Sequence, residues 1–386
     1  MLKPFIHLFG YLFVTLSTAA AIAQGTPAGT APVAYVYVSS EGSDGNPDNI
    51  VAFAASRDGK LAPVAGSPFP AHVFSMAVNG KYLFGEEEDE IHTYSFSIAA
   101  DGSLKKVAST NDQQHNGGDC GGIGPLFLDH TGATLYGVDF DGVSCKSNIY
   151  VSYKVEKPTG ELQYLGKNGA TSYFNSPLSF IGNNVYAYGA SCVGDPQIYG
   201  FQRQSDGMLT LANVSGAVPV APQGDSYCPT LTAADRTNHV AVFLQTLVAG
   251  AFDQGQLATY TADQFGNLTT NSTDANMPQT SLLTGYDMKM SPSGELLAVG
   301  GLAGLEVFHF NGSDPVTPYT GLLTNDYIQQ LFWDNAHHLY AIAPGAGKLY
   351  VFTITPEDFS QAAGSPHAIA DPVSIIVQPK TPQPTN

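Results

Sequence analysis

A seven-fold internal repeat constrains this chain more than any other feature. An aliphatic residue or a tyrosine is followed three positions later by an aromatic at Ile50/Phe53, Ile91/Tyr94, Tyr150/Tyr153, Ile198/Phe201, Leu257/Tyr260, Leu305/Phe308 and Leu349/Phe352. In five copies a glycine turn and a leucine follow: Gly59/Leu61, Gly102/Leu104, Gly160/Leu162, Gly207/Leu209 and Gly266/Leu268. The sixth keeps Gly312 ahead of Val316, and the seventh substitutes residues 356–359. Ahead of each pair lie two short apolar runs around a tight turn, as in residues 75–84 and 288–299. Asn-Gly and Ser-Gly recur in those turns because they accept positive φ. Runs this short, punctuated this often, predict antiparallel strands. Four strands per unit is the content of one propeller blade.

The two ends complement each other. Residues 34–40 (AYVYVSS) read as a second strand with no first strand before it, and residues 373–379 (VSIIVQP) as a first strand with no second after it. Pairing the last strand with the first would close the ring and remove its exposed edges. The expectation is an all-β, seven-bladed propeller over residues 34–379, as one domain.

Outside that span, residues 1–23 read as a secretory signal peptide. Lys3 supplies the positive start, residues 5–16 the apolar centre, and Ala21-Ile22-Ala23 the cleavage site. Residues 24–33 read as a flexible linker of small residues and 380–386 as a C-terminal tail. No other run could cross a bilayer, so a secreted or periplasmic protein, monomeric and without a membrane span, is expected. A net charge of −18 argues against nucleic acid and anionic membranes as partners.

The repeat resembles the seven-bladed lactonase propellers, the 6-phosphogluconolactonase-like, YVTN-type family. The likeness rests on the YVYVSS opening, the I-x-x-[FY]…D-G-x-L units, AGSPF (65–69), AGSPH (363–367) and SPSGELLAV (291–299). These motifs are strand-and-turn chemistry, so they imply the fold and not the activity. The family also implies a His-Pro-His-like segment entering an inner strand. The matching stretch here, residues 120–130 (CGGIGPLFLDH), has no histidine before the strand, so no catalytic residue carries over.

In this topology the links between blades and the loops joining second to third strands share one face, the upper one. His72 and His367 fall on links flanking the closing blade and are candidate bases, with Asp287 a further catalytic candidate. His130, His239, His337 and His338 fall in lower-face turns, where a structural role is expected. Asp119, Asp225 and Asp326, with Tyr173, Tyr227, Tyr286 and Tyr327, sit where inner strands begin; carboxylates beside aromatic rings suit a sugar-like ligand. The acidic run 86–90 reads as a solvated loop. Asp139 and Asp141 are the better pair for a hard cation such as Ca²⁺, though two carboxylates are not a site; no other cofactor is expected. Cys120, Cys145, Cys192 and Cys228 all map to the upper face, favouring disulfides Cys120–Cys145 and Cys192–Cys228. Only three arginines are present, Arg57, Arg203 and Arg236, none on an upper-face loop, which disfavours a phosphorylated substrate.

Two functions remain. One is a scaffold that binds a small molecule, glycan, peptide or envelope partner through the acidic upper face. The other is a hydrolase acting on an unphosphorylated lactone. The resemblance reaches the frame and not the chemistry, which favours the first and leaves enzymatic activity open.

Overall fold

The computed structural model describes residues 31–42, 48–87, 92–112, 124–140, 148–168, 176–192, 196–222, 224–248 and 251–380. The chain divides into two units at Ala31/Pro32, and everything below concerns the second. Its described residues form seven antiparallel sheets, each with four strand positions, and a single 3₁₀ turn at Pro344–Ala346. From blade 1 to blade 7 the inner strands are Pro372–Pro379, Val73–Val78, Leu126–Leu128, Ser179–Phe180, Asp225–Ala234, Gly285–Met290 and Gln330–Trp333. Blade 1 is completed across the chain ends: Ala34–Ser40 pairs antiparallel with Pro372–Pro379, Val36 opposite Val377 and Val38 opposite Ile375.

The core is a ring of seven apolar clusters, one between each pair of neighbouring blades. Strand Ala34–Ser40 shows why its sequence has no polar alternation. Val36 and Val38 pack toward blade 7 against Tyr340 and Ile342, while Tyr35 and Tyr37 pack toward blade 2 against Leu83 and Phe96. Both faces are buried, so both carry apolar bodies.

The glycine turns of the repeat latch one blade to the next. Tyr37 donates its hydroxyl to the Gly102 carbonyl (2.8 Å), Tyr136 to that of Gly207 (2.6 Å) and Tyr188 to that of Gly266 (2.7 Å). Tyr82 reaches Pro158 in the same way. At two other seams a histidine takes the tyrosine's place: His239 beside Gly312 and His338 beside Gly59, each ring held by an aspartate, Asp235 or Asp334, at 2.8 Å. Gly102 cannot be replaced cheaply. Its φ is +86°, and an added Cβ would lie 2.4 Å from the Tyr35 ring. Gly102→Ala is expected to cost about 2 kcal/mol, from the left-handed backbone and overpacking together. A urea titration beside Tyr37→Phe, which removes only a hydrogen bond worth about 1 kcal/mol, checks this; equal midpoints for the two variants would contradict it.

The AGSPF and AGSPH motifs acquire a physical role. Ser67 and Ser365 accept the backbone N–H of Ala52 and Val351 through their side-chain oxygens, both at 2.8 Å, where the outer strand leaves its partner. Ser272 and Thr320 do the same for Thr259 and Val307.

Candidate functional site

Blades 5, 6 and 7 bring described candidate residues to the upper mouth. Asp225 opens one inner strand, Tyr286 and Asp287 lie in the next, and Asp326 and Tyr327 sit on the link leading into the third. Tyr286 and Tyr327 meet edge to face, ring centroids 4.8 Å apart, with Tyr286 45% exposed. Burial, then the neighbouring Tyr286, raises the Tyr327 hydroxyl pKa. Asp326 accepts hydrogen bonds from Lys348 Nζ (2.8 Å) and the Tyr350 hydroxyl (2.5 Å). Those two partners hold its carboxyl below the usual range, and the same contact raises the Lys348 pKa. The result is an aromatic pair, Tyr286 exposed and Tyr327 half-buried, next to a fixed carboxylate–ammonium pair.

The other candidates are placed differently. Asp287 spans two blades: one oxygen accepts Lys289 Nζ (2.7 Å), the other the Leu331 N–H (2.9 Å). That is a clamp on an inner strand. Tyr227 is buried, its hydroxyl 2.6 Å from Gln256 and 2.7 Å from Asp274, rather than lining the opening. The strand alternation directs Tyr227 into the seam between blades 4 and 5 instead.

His72 lies 3.6 Å from Asp48 and borders a cavity of about 110 Å³ with Ser40, Glu41 and Phe74. His367 is not on a link but in a short outer strand, His367–Ala368, opposite Leu349. Its ring faces Phe53, and burial lowers its pKa. The two histidines therefore have separate partners. Asp119, Tyr173, Asp141, Cys120 and Cys145 lie outside the described residues. Cys192 and Cys228 are joined by a disulfide between the blade 4 upper loop and the blade 5 inner strand. Among the described residues no group of three His, Cys, Asp or Glu side chains could hold a metal ion, and no helix is long and apolar enough to cross a membrane.

No family model and no curated protein matches the chain. Solved structures do. A candidate 6-phosphogluconolactonase from Bacteroides fragilis superposes with a TM-score of 0.62 at 14% identity, over 89% of this chain and 97% of the other. The periplasmic gluconolactonase of Pseudomonas aeruginosa gives 0.61 at 13% identity, over 89% and 98%. The fold is that of the lactonase-like propellers. It is shared more widely: a hypothetical selenium-binding protein from Sulfolobus tokodaii reaches 0.61 at 8% identity, over 91% and 94%. In a lactonase-like propeller the frame thus says little about chemistry.

The propeller also hides acids that the sequence places in a solvated loop. Strand Tyr82–Glu87 runs two residues into the acidic stretch, and Glu86 is fully buried. Its Oε2 lies 2.5 Å from the Thr93 hydroxyl, which is also 2.6 Å from Asp112 Oδ2. Asp112 is buried too, and Tyr153 hydrogen-bonds to it. One hydroxyl proton cannot serve two carboxylates, so the group accommodates a further proton. Burial pushes the Asp112 carboxyl up to about 6 against the opposing pull of Thr93 and Tyr153. Asp139 is buried on the neighbouring blade, and its charge helps raise the Tyr153 hydroxyl. The missed signal was period two: Glu86 stands two residues past Phe84 and four past Tyr82.

Proposed function

We propose that this exported propeller binds a carbohydrate-like ligand at its upper mouth, using the Tyr286–Tyr327 pair as the stacking surface. The observation that carries the reading is that pair: two rings meeting edge to face, one of them 45% exposed, beside the Asp326–Lys348 ion pair. Aromatic faces bind the apolar side of a sugar while neighbouring polar groups read its hydroxyls. The separate engagements of His72, His367 and Asp287 support binding without turnover, since lactone opening needs a base and an oxyanion donor converging on one carbonyl. The disulfide supports an extracytoplasmic setting.

Calorimetric titration of the mature protein with neutral cello-, xylo- and chito-oligosaccharides tests the reading. Binding by at least one is expected, weakened tenfold or more in Tyr286→Ala and Tyr327→Ala. Binding unaffected by both substitutions, or no binding to any of them, would overturn it.

A second reading, an unphosphorylated-lactone hydrolase, draws on the fold shared with the Pseudomonas aeruginosa gluconolactonase. Gluconolactone hydrolysis by the purified protein, with and without EDTA, addresses it. Turnover above the spontaneous rate that falls in His72→Ala or His367→Ala would favour this second reading.

A further inference from the structure

Half of the large apolar side chains exposed among the described residues gather on the upper rim of blades 5 and 6. Val248 and Phe252 stand on the blade 5 hairpin, Leu283 on the link to blade 6 and Leu302 at the tip of the blade 6 hairpin. Leu322 lies on the link to blade 7, and Tyr286 ends the row on an inner strand. Single exposed apolar residues are ordinary on any surface, whereas a contiguous run of them marks an interaction site. Hydrogen bonds and packing make this run contiguous. Gln245 donates its side-chain amide to the Leu283 carbonyl (2.6 Å) and to the Asp253 carbonyl, which fastens the link against the strand bearing Phe252. The Leu302 N–H donates to the Thr284 carbonyl at 2.9 Å. Leu322 packs on the same hairpin, its Cδ2 being 3.0 Å from where a Cβ on Gly304 would stand. We propose that this ridge docks a basic amphipathic segment of a partner polypeptide. Its apolar side chains would lie on Phe252, Leu283 and Leu302, and its lysines or arginines beside the neighbouring carboxylates.

The charge pattern selects that partner. Asp253 follows Phe252 and is exposed, and Asp225 stands half-buried opposite Val248. Lys348, the cation of this rim, is already bound to Asp326 at 2.8 Å. Anything seated on the ridge therefore meets negative charge, in a chain whose net charge is −18. A second copy would bring the same carboxylates and the same net charge to the contact, which disfavours self-association. An anionic lipid surface is repelled on the same ground. A lysine-rich apolar segment gains twice, since its apolar surface leaves water and its charges find partners of opposite sign. An amphipathic helix laid across the two hairpins and links is the mode that fits a row of spaced apolar anchors. Five of the six ridge residues lie on hairpins and links rather than on an inner strand, so this docking does not depend on sugar binding at the Tyr286–Tyr327 pair.

Fluorescence anisotropy of a labelled leucine–lysine peptide, its leucines at helical spacing, tests the docking on the mature protein at physiological salt. Saturable binding is expected. It should be at least tenfold tighter than for a peptide with serine at every leucine, and than for one with glutamate at every lysine. Affinity should fall at least tenfold in Phe252→Ser and in Leu302→Ser, and stay level in Phe265→Ser, which alters a comparably exposed phenylalanine in the turn between the third and fourth strands of blade 5. Melting curves accompany the titrations, and either ridge variant decides alone if the other folds poorly. Asp253→Asn should flatten the salt dependence. No binding, equal binding of the serine peptide, or folded ridge variants indistinguishable from Phe265→Ser would each overturn the proposal. Sedimentation velocity on the protein alone and flotation with phosphatidylcholine vesicles address the other occupants. A dimer, or vesicle binding, that is lost in Phe252→Ser would assign the ridge to a second copy or to a membrane, and would overturn it as well.

Discussion

Removing residues 372–386 is expected to abolish cooperative folding. The deleted strand, Pro372–Pro379, is the inner strand of blade 1 and pairs along the whole of Ala34–Ser40. It buries Ile375, Ile376 and Val377 in the two clusters that join blade 1 to blades 7 and 2. Burying three such side chains is worth roughly 5–9 kcal/mol at about 1.5–3 kcal/mol each. That rivals the whole margin of an ordinary domain, about 5–15 kcal/mol. Side-to-side bonds would go as well: the Ser374 N–H to Ser39 Oγ (3.0 Å) and the Ile375 N–H to Gln330 (2.7 Å). Val377→Asp is the milder form of the same experiment and should cost about 3–5 kcal/mol by burying an unpaired charge. Thermal melts followed by near-ultraviolet circular dichroism read both. A truncated protein melting cooperatively within a few degrees of the full chain would contradict the closure.

Asp112→Asn should stabilise the protein at neutral pH and flatten its pH dependence between about 4 and 6. The sign follows from the carboxyl's raised folded-state pKa, about 6, against an unfolded value of 3.8. The folded protein then binds the proton more tightly than the unfolded chain, so stability falls as pH climbs through that window and is level above it. A shift of this size corresponds to about 3 kcal/mol, to order of magnitude. Asparagine keeps the shape and offers the Glu86–Thr93 pair a permanent donor in place of the shared proton. Urea titrations at pH 4, 5, 6, 7 and 8 measure it. A wild-type stability that rises from pH 4 to 7 where Asp112→Asn stays flat would contradict the assignment of the proton to this group.

The architecture was legible because its signals are local. The aliphatic-or-tyrosine-x-x-aromatic strands recur at every blade and the Gly-x-Leu turns at five of them, and Gly102, Gly160 and Gly266 sit where a neighbouring tyrosine leaves no room for a side chain. The complementary ends were legible for the same reason: a strand lacking its partner is visible within seven residues. The candidate site was less so, because side-chain direction depends on where each strand stops. Glu86 was read as solvated because the acidic run was treated as a loop, whereas the strand continues to Glu87. Tyr227 and Asp287 were placed at the correct end of their strands, yet packing turned one into a blade seam and spent the other on a backbone N–H. His72 and His367 flank one blade in sequence, but the second closes the AGSPH motif and belongs to a short outer strand, as Phe69 does after AGSPF.

Native-state hydrogen exchange followed by mass spectrometry tests the ring closure most directly. If the chain's last strand is hydrogen-bonded to its first, amides in Ala34–Ser40 and Pro372–Pro379 exchange only through global unfolding, as slowly as those in Leu296–Gly301. Exchange in both terminal segments running well ahead of Leu296–Gly301 would mean the ring is open, and the division of residues into an upper and a lower face would fall with it.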